Sequence, residues 1–186
     1  MIDPHLKNWL LANGDSEGGK FTENQIDNMG PESPYYPPTK KFMKTFLQDS
    51  GCSNVHLEIT GRNSFSAKLK EVFGEPLQLL DKSFSPDISG IYEKGGEQKI
   101  IIVEVKPIEM TIRDIYQTLT YFELVNAEIG VLITPKKMPV RIQNYLTKNP
   151  ELLSMCGREN RIFIGTISIE EEKFLPEDWY PAQPTF

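Results

Sequence analysis

Four consecutive β-branched residues, Ile100-Ile101-Ile102-Val103, run straight into Glu104-Val105-Lys106. An unbroken apolar run of this kind predicts a strand buried on both faces and therefore central in its sheet. Strand side chains alternate, so Glu104 and Lys106 share one face while Val105 takes the other. The end of a buried strand thus carries an acid beside a base. Such groups are costly in a core unless they are paired or bind a cation.

The partner for that pair lies upstream. Pro86 to Tyr92 reads as a strand, with proline at its start where no ladder donor is missed. Glu93 to Gln98 is a polar turn containing Gly95-Gly96, a hairpin signal. Counted from the centre of that turn, Asp87 lies about nine positions back and Glu104 about nine forward, which sets them opposite each other. Two adjacent carboxylates repel when ionised, and a divalent cation relieves the repulsion. Magnesium suits such a place because it takes oxygen ligands. Lys106 is positioned to orient a nucleophile or stabilise developing negative charge.

The rest of the chain supplies a frame. Pro107 closes the Lys99 to Lys106 strand. Thr111 and Asp114 make a capping-box-like start to a helix, with Ile112, Ile115, Leu119 and Phe122 on one face. Ala127 to Thr134 is a third strand, Pro139 opens a helix through about Leu146, and Arg161 to Ile169 is a final strand. A helix joining two buried strands signals a parallel crossover. Upstream, Asp3-Pro4 starts a helix carrying Leu6, Trp9 and Leu10 that ends at Asn13-Gly14. Gly30 to Pro38 reads as loop. A helix follows from Thr39 to Gly51 with Phe42, Met43, Phe46 and Leu47 as its apolar stripe, then a strand over Val55 to Thr60. A short helix is predicted over Ala67 to Phe73. The expected architecture is an α/β sandwich around a mixed sheet, with an extension over 1–38, a core over 39–170 and a tail over 171–186.

Composition narrows the function classes. The chain has 186 residues, enough for one core but not two full-size domains. Its net charge of −6 is the wrong sign for a protein that merely coats DNA, although a cation reverses the local potential of an acidic cleft. No apolar run approaches the roughly 18 to 20 residues that cross a bilayer, so no membrane partner is expected. The N-terminus has no secretory pattern, and two isolated cysteines, Cys52 and Cys156, fit a reducing cytoplasm.

Ser85-Pro86-Asp87, the hairpin, Ile102-Val103-Glu104-Val105-Lys106 and the helix beyond resemble the PD-(D/E)xK phosphodiesterase superfamily. The resemblance covers roughly Pro86 to Pro135. It implies a restriction-endonuclease-like αβββαβ core and a Mg²⁺ or Mn²⁺ site built from Asp87 and Glu104. It also implies the Val105 carbonyl as a further ligand and Lys106 as the catalytic lysine. Gln117-Thr118-Leu119-Thr120-Tyr121 resembles the QxxxY helix of the RecB-like branch, which implies that Gln117 and Tyr121 stand beside the site. Many members of that superfamily draw another acid from the first core helix. Here the stretch from Thr39 to Gln48 has none, leaving Glu32, Glu58 and Glu71 as candidates by chemistry alone.

Plainer roles stand beside these. Glu104 and Lys106 could form a solvent-facing ion pair on an edge strand, although the continuous apolar run argues against an edge; Asp87 could be a turn residue and Tyr121 packing. His5 and His56 read as surface or structural. Lys136, Lys137, Arg141, Arg62, Lys68 and Lys70 suit phosphate contacts or plain solvation. Trp179-Tyr180-Pro181 suits base stacking, packing on the domain, or a homodimer contact. The expected activity is metal-dependent hydrolysis of DNA in defence or repair, with RNA left open. The alternatives are a non-cleaving nucleic-acid-binding or protein-interaction module, and an assembly subunit.

Overall fold

The computed structural model describes residues 2–14, 19–61, 64–79, 84–153, 161–175 and 178–182. Arg62 and Cys156 fall outside them. The fold is α/β: a mixed six-stranded sheet in the order β1-β2-β3-β4-β5-β6, flanked by helices. The strands are β1 (Ser53–Ile59), β2 (Ile88–Lys94), β3 (Glu97–Val105), β4 (Ile129–Thr134), β5 (Arg161–Ser168) and β6 (Lys173–Phe174). β1, β2 and β3 pair antiparallel, β3, β4 and β5 pair parallel, and β6 returns antiparallel.

The apolar run of β3 does occupy the middle of the sheet, with Ile101, Ile102 and Val103 fully buried. The β2–β3 hairpin turns through Gly95 and Gly96, both at positive φ (63° and 82°), a conformation that glycine adopts without steric penalty. That turn sets the register Ile88 to Val103 and carries every pair up to Lys94 opposite Glu97.

The helices are α1 (Pro4–Asn13), α2 (Glu23–Asp27), α3 (Tyr36–Asp49), α4 (Ala67–Phe73), α5 (Ile112–Leu124) and α6 (Val140–Lys148). Ile115, Leu119 and Phe122 of α5 and Ile142 and Leu146 of α6 join Ile102, Leu132 and Ile164 in one core layer. Phe42, Met43 and Leu47 of α3 join Ile101, Val103, Val131 and Ile133 on the other face. Leu6, Trp9, Leu10 and Ile26 form a small separate cluster under the extension.

Three sequence expectations need correction. Gly30 to Pro38 is not all loop: a 3₁₀ turn over Ser33–Tyr35 leads into α3, which begins at Tyr36. Pro37 and Pro38 fit there because first-turn residues have no intrahelical donor to lose. Ile112 is 37% exposed rather than buried with its stripe, because it is the first residue of α5. β2 begins at Ile88, so Pro86 and Asp87 precede the strand, and this frees Asp87 from a ladder role.

Candidate active site at the ends of β2 and β3

Continuing the β2–β3 register one step past Ile88 and Val103 sets Asp87 opposite Glu104, as the hairpin count predicts. Both are buried, at 6% and 2% exposure. The main chain of Asp87 is held by the two residues that follow β1, where the amides of Thr60 (2.8 Å) and Gly61 (3.1 Å) donate to its carbonyl. Its side chain is held twice. The Tyr36 hydroxyl donates to Oδ1 at 2.5 Å, and the Val105 amide donates to Oδ2 at 2.8 Å. Gly61 comes so close that a β-carbon there would lie 2.8 Å from Asp87 Oδ1. Asp87 is therefore fixed by the chain just past β1, by the end of β3 and by α3, and it does more than hold a turn.

Glu104 is held differently. Its Oε1 lies 2.9 Å from Lys106 Nζ, while its Oε2 is buried with no hydrogen-bond partner among the described residues. Lys106 also reaches Glu32 Oε1 at 3.4 Å. Glu32 is one of the three spare acids of the sequence, and it arrives from the turn before α3. The other two go elsewhere: Glu58 is bound by His56 (2.6 Å) and Ser66, and Glu71 is exposed on α4. The Glu104–Lys106 pair is not on an edge strand, since β3 lies between β2 and β4.

The electrostatics follow from burial. Burial raises the Asp87 carboxyl to about 6, although the Tyr36 hydroxyl, the Val105 amide and Lys106 pull the other way. Burial, and then the charge of Asp87, push Glu104 up to about 8 against the pull of Lys106. Burial opposes the charge on Lys106, but Glu104, Glu32 and Asp87 outweigh it and hold the ammonium above its usual range. One amine thus faces three carboxylates.

From the α5 side, Gln117 Nε2 donates to the Tyr121 hydroxyl at 3.1 Å, one helical turn away. Tyr121 is buried at 1% exposure, and its ring lies 4.9 Å from that of Phe84, just ahead of Pro86 and Asp87. The charges of Glu104, Asp87 and Lys106 all act on its hydroxyl, although burial is the main cause of its raised pKa. Helix and strands therefore converge on one place. The Val105 side chain is buried on the opposite, α3-side face, while its amide serves Asp87.

Among the described residues no three His, Cys, Asp or Glu side chains form a ready cation cluster. The donor set nonetheless fits a hard ion: two buried carboxylates close enough for the charge of Asp87 to act on Glu104, one with a buried oxygen that has no hydrogen-bond partner among the described residues. A buried polar atom without a partner calls for an explanation, and a cation is one.

The other candidates are placed as follows. Lys136, Lys68 and Lys70 are exposed, Lys137 lies 3.5 Å from Asp178, and Arg141 lies 3.4 Å from Glu109. His5 is exposed and Cys52 is buried. Trp179 packs on the domain, its ring 5.3 Å from that of Phe46. Sequence reasoning missed Tyr36, which sat in a stretch read as loop. Its only advance signal was being an aromatic residue just ahead of the α3 stripe. Compared with models of protein families and with curated proteins, the chain matches none.

Proposed function

We propose that this chain is a divalent-cation-dependent nuclease with a restriction-endonuclease-like core, hydrolysing phosphodiester bonds in DNA. The observation that carries the reading is the convergence of Asp87, Glu104 and Lys106 where β2 begins and β3 ends, with one buried Glu104 oxygen that has no hydrogen-bond partner among the described residues. The chain order α3, β1, β2, β3, α5, β4 supports the αβββαβ arrangement, with α4 inserted between β1 and β2.

Asp87 and Glu104 would hold Mg²⁺ or Mn²⁺, which when bound supplies a water of lowered pKa and neutralises charge at the phosphate. Tyr36 and the Val105 amide keep the Asp87 carboxylate in one orientation, so little reorganisation is needed on binding. Lys106 stays protonated among its carboxylates and donates to the attacking oxygen or to the phosphate. Gln117 and Tyr121 form the α5 wall, and the Tyr121 hydroxyl, which accepts from Gln117, keeps its own proton for donation. Among the described residues no helix is long and apolar enough to cross a membrane.

Purified protein incubated with a panel of DNAs is expected to cut only when Mg²⁺ or Mn²⁺ is present. Equal cutting by Asp87→Ala or Lys106→Ala would defeat the assignment. A second reading, a binding module that does not cleave, is favoured by the 2.9 Å contact in which Lys106 already neutralises Glu104. Calorimetric titration with Mn²⁺ separates the two, since no binding at millimolar metal leaves only the second.

A further inference from the structure

The extension and the chain that follows β3 line a cavity of about 520 Å³, within the roughly 300 to 1,000 Å³ typical of small-ligand pockets. Pro31 and Pro34 on one side bracket Glu32, whose carboxylate reaches Lys106. Pro107 and Ile108 on another side follow Lys106 directly in the chain. The chain before α3 and the chain after β3 therefore build the cavity together, its wall at Pro107 following Lys106 directly in the chain. Ile108 is 69% exposed, a large apolar side chain on the rim that the core does not use.

We propose that this cavity is a nucleobase pocket, seating one unstacked base of a nucleic-acid strand whose backbone passes Lys106. The lining is mostly apolar and includes Tyr35 and three prolines, side chains of the kind that pack on the face of a base. The polar groups are Asp3, whose Oδ1 caps α1 by accepting from the His5 and Leu6 amides, together with Asp27 and Lys7, which pair with each other at 2.9 Å. Two carboxylates against one amine repel a phosphate but accept hydrogen bonds from the exocyclic amine of cytosine, adenine or guanine. The charge therefore selects the base over the backbone. A strand entering this way must present an unstacked base, which favours single-stranded or frayed substrate over intact duplex. The strand itself rests on the nuclease reading; the base pocket does not.

Methyl NMR on the full chain tests the pocket without any cleavage. With the Ile and Met methyls labelled, millimolar deoxycytidine, deoxyadenosine or deoxyguanosine should shift Ile108, Ile2 and Met29. Thymidine, which lacks the amine, should shift them least, and inorganic phosphate not at all. In Ile108→Glu, with an unchanged melting temperature, the nucleoside shifts should disappear and single-stranded DNA should bind at least tenfold more weakly. No methyl shift with any nucleoside, shifts with phosphate alone, or shifts that track protein concentration through a second copy would each overturn the proposal. Nucleoside shifts in a protein that never cuts DNA would sink the nuclease reading and keep the pocket. Cutting that Ile108→Glu leaves intact would do the reverse.

Discussion

The Tyr36 hydroxyl sits 2.5 Å from Asp87 Oδ1, joining the first turn of α3 to the residue just before β2. The contact does two jobs: it satisfies a buried carboxylate oxygen and it fixes the rotation of the carboxyl group. Tyr36→Phe keeps the ring in its core layer and removes only the donor. Losing one hydrogen bond to a charged partner should reduce stability by roughly 1.5–3 kcal/mol, read by denaturant unfolding. It should also raise the Asp87 pKa further, because that bond is one of the influences holding it down. Cation binding should weaken in parallel. Calorimetry on the variant that returned wild-type Mn²⁺ affinity would mean that Tyr36 only packs.

A second prediction concerns pH. Glu104 is raised from the usual 4.5 to about 8, and Asp87 from 3.8 to about 6. A group whose folded pKa is raised binds its proton more tightly when folded. Between the two values the folded state holds protons that the unfolded chain has released, so stability falls as pH rises. For the metal-free protein the decline should start near pH 4 and continue through about pH 8. Lys106 is also raised, but its contribution is present below 10.5 and lost only at more alkaline pH, outside this window. Melting temperatures in EDTA should drop across the window, and Mg²⁺ should recover most of the loss at pH 8, where both carboxyls must otherwise ionise together. A flat or rising profile in EDTA would show that the pair is not strained by burial.

How much of this was legible beforehand follows from the range of the interactions. Glu104 and Lys106 were readable because strand alternation and a buried run are local. Asp87 was readable because a Gly-Gly hairpin turns register into counting, and the observed pairs keep that count. α4 lies where a short helix was expected around Ala67 to Phe73, within a stretch that the sequence otherwise left ambiguous. Tyr36 and Glu32 were not readable, because they arrive from more than fifty residues upstream of the strand ends they touch, through a proline-rich stretch that looks like loop until packing holds it. α2 was missed although Thr22 and Gln25 form a capping box, because a five-residue helix has too short an apolar stripe to stand out. β6 has two residues, and its pairing with β5 is tertiary in origin.

The Gln117–Tyr121 pair yields a third prediction. The Tyr121 ring is buried and packs against Phe84, so Tyr121→Phe keeps the ring and its contacts. Gln117 retains access to the site, but its 3.1 Å partner is gone. Stability should change by no more than about 1 kcal/mol, the usual net worth of a neutral hydrogen bond. If the hydroxyl donates at the reacting phosphate, kcat should fall about 10- to 100-fold with KM little changed, the signature of an interaction made only in the transition state. A cleavage assay showing an equal kcat would return Tyr121 to the core as packing alone.

The tail offers the last. Trp179 is 6% exposed, stacks on Phe46 of α3 and fills the space left by the missing side chain of Gly165, whose added β-carbon would lie 2.7 Å from the indole. Tyr180 exchanges two 2.8 Å backbone hydrogen bonds with Ile164, so the segment is stitched to β5. An indole so enclosed is not available to stack on a base or to meet a second copy. Trp179→Ala should therefore destabilise the fold by about 3–5 kcal/mol through the cavity it leaves. Gly165→Ala should destabilise it by about 1–3 kcal/mol through overpacking against the same ring. Because the two changes act on one contact from opposite sides, combining them should be less harmful than the sum of the singles. Chemical denaturation of the two singles and the double checks this. Strict additivity would mean that indole and glycine do not share the space that the geometry gives them, and a change in oligomeric state with stability intact would reassign the tail to assembly.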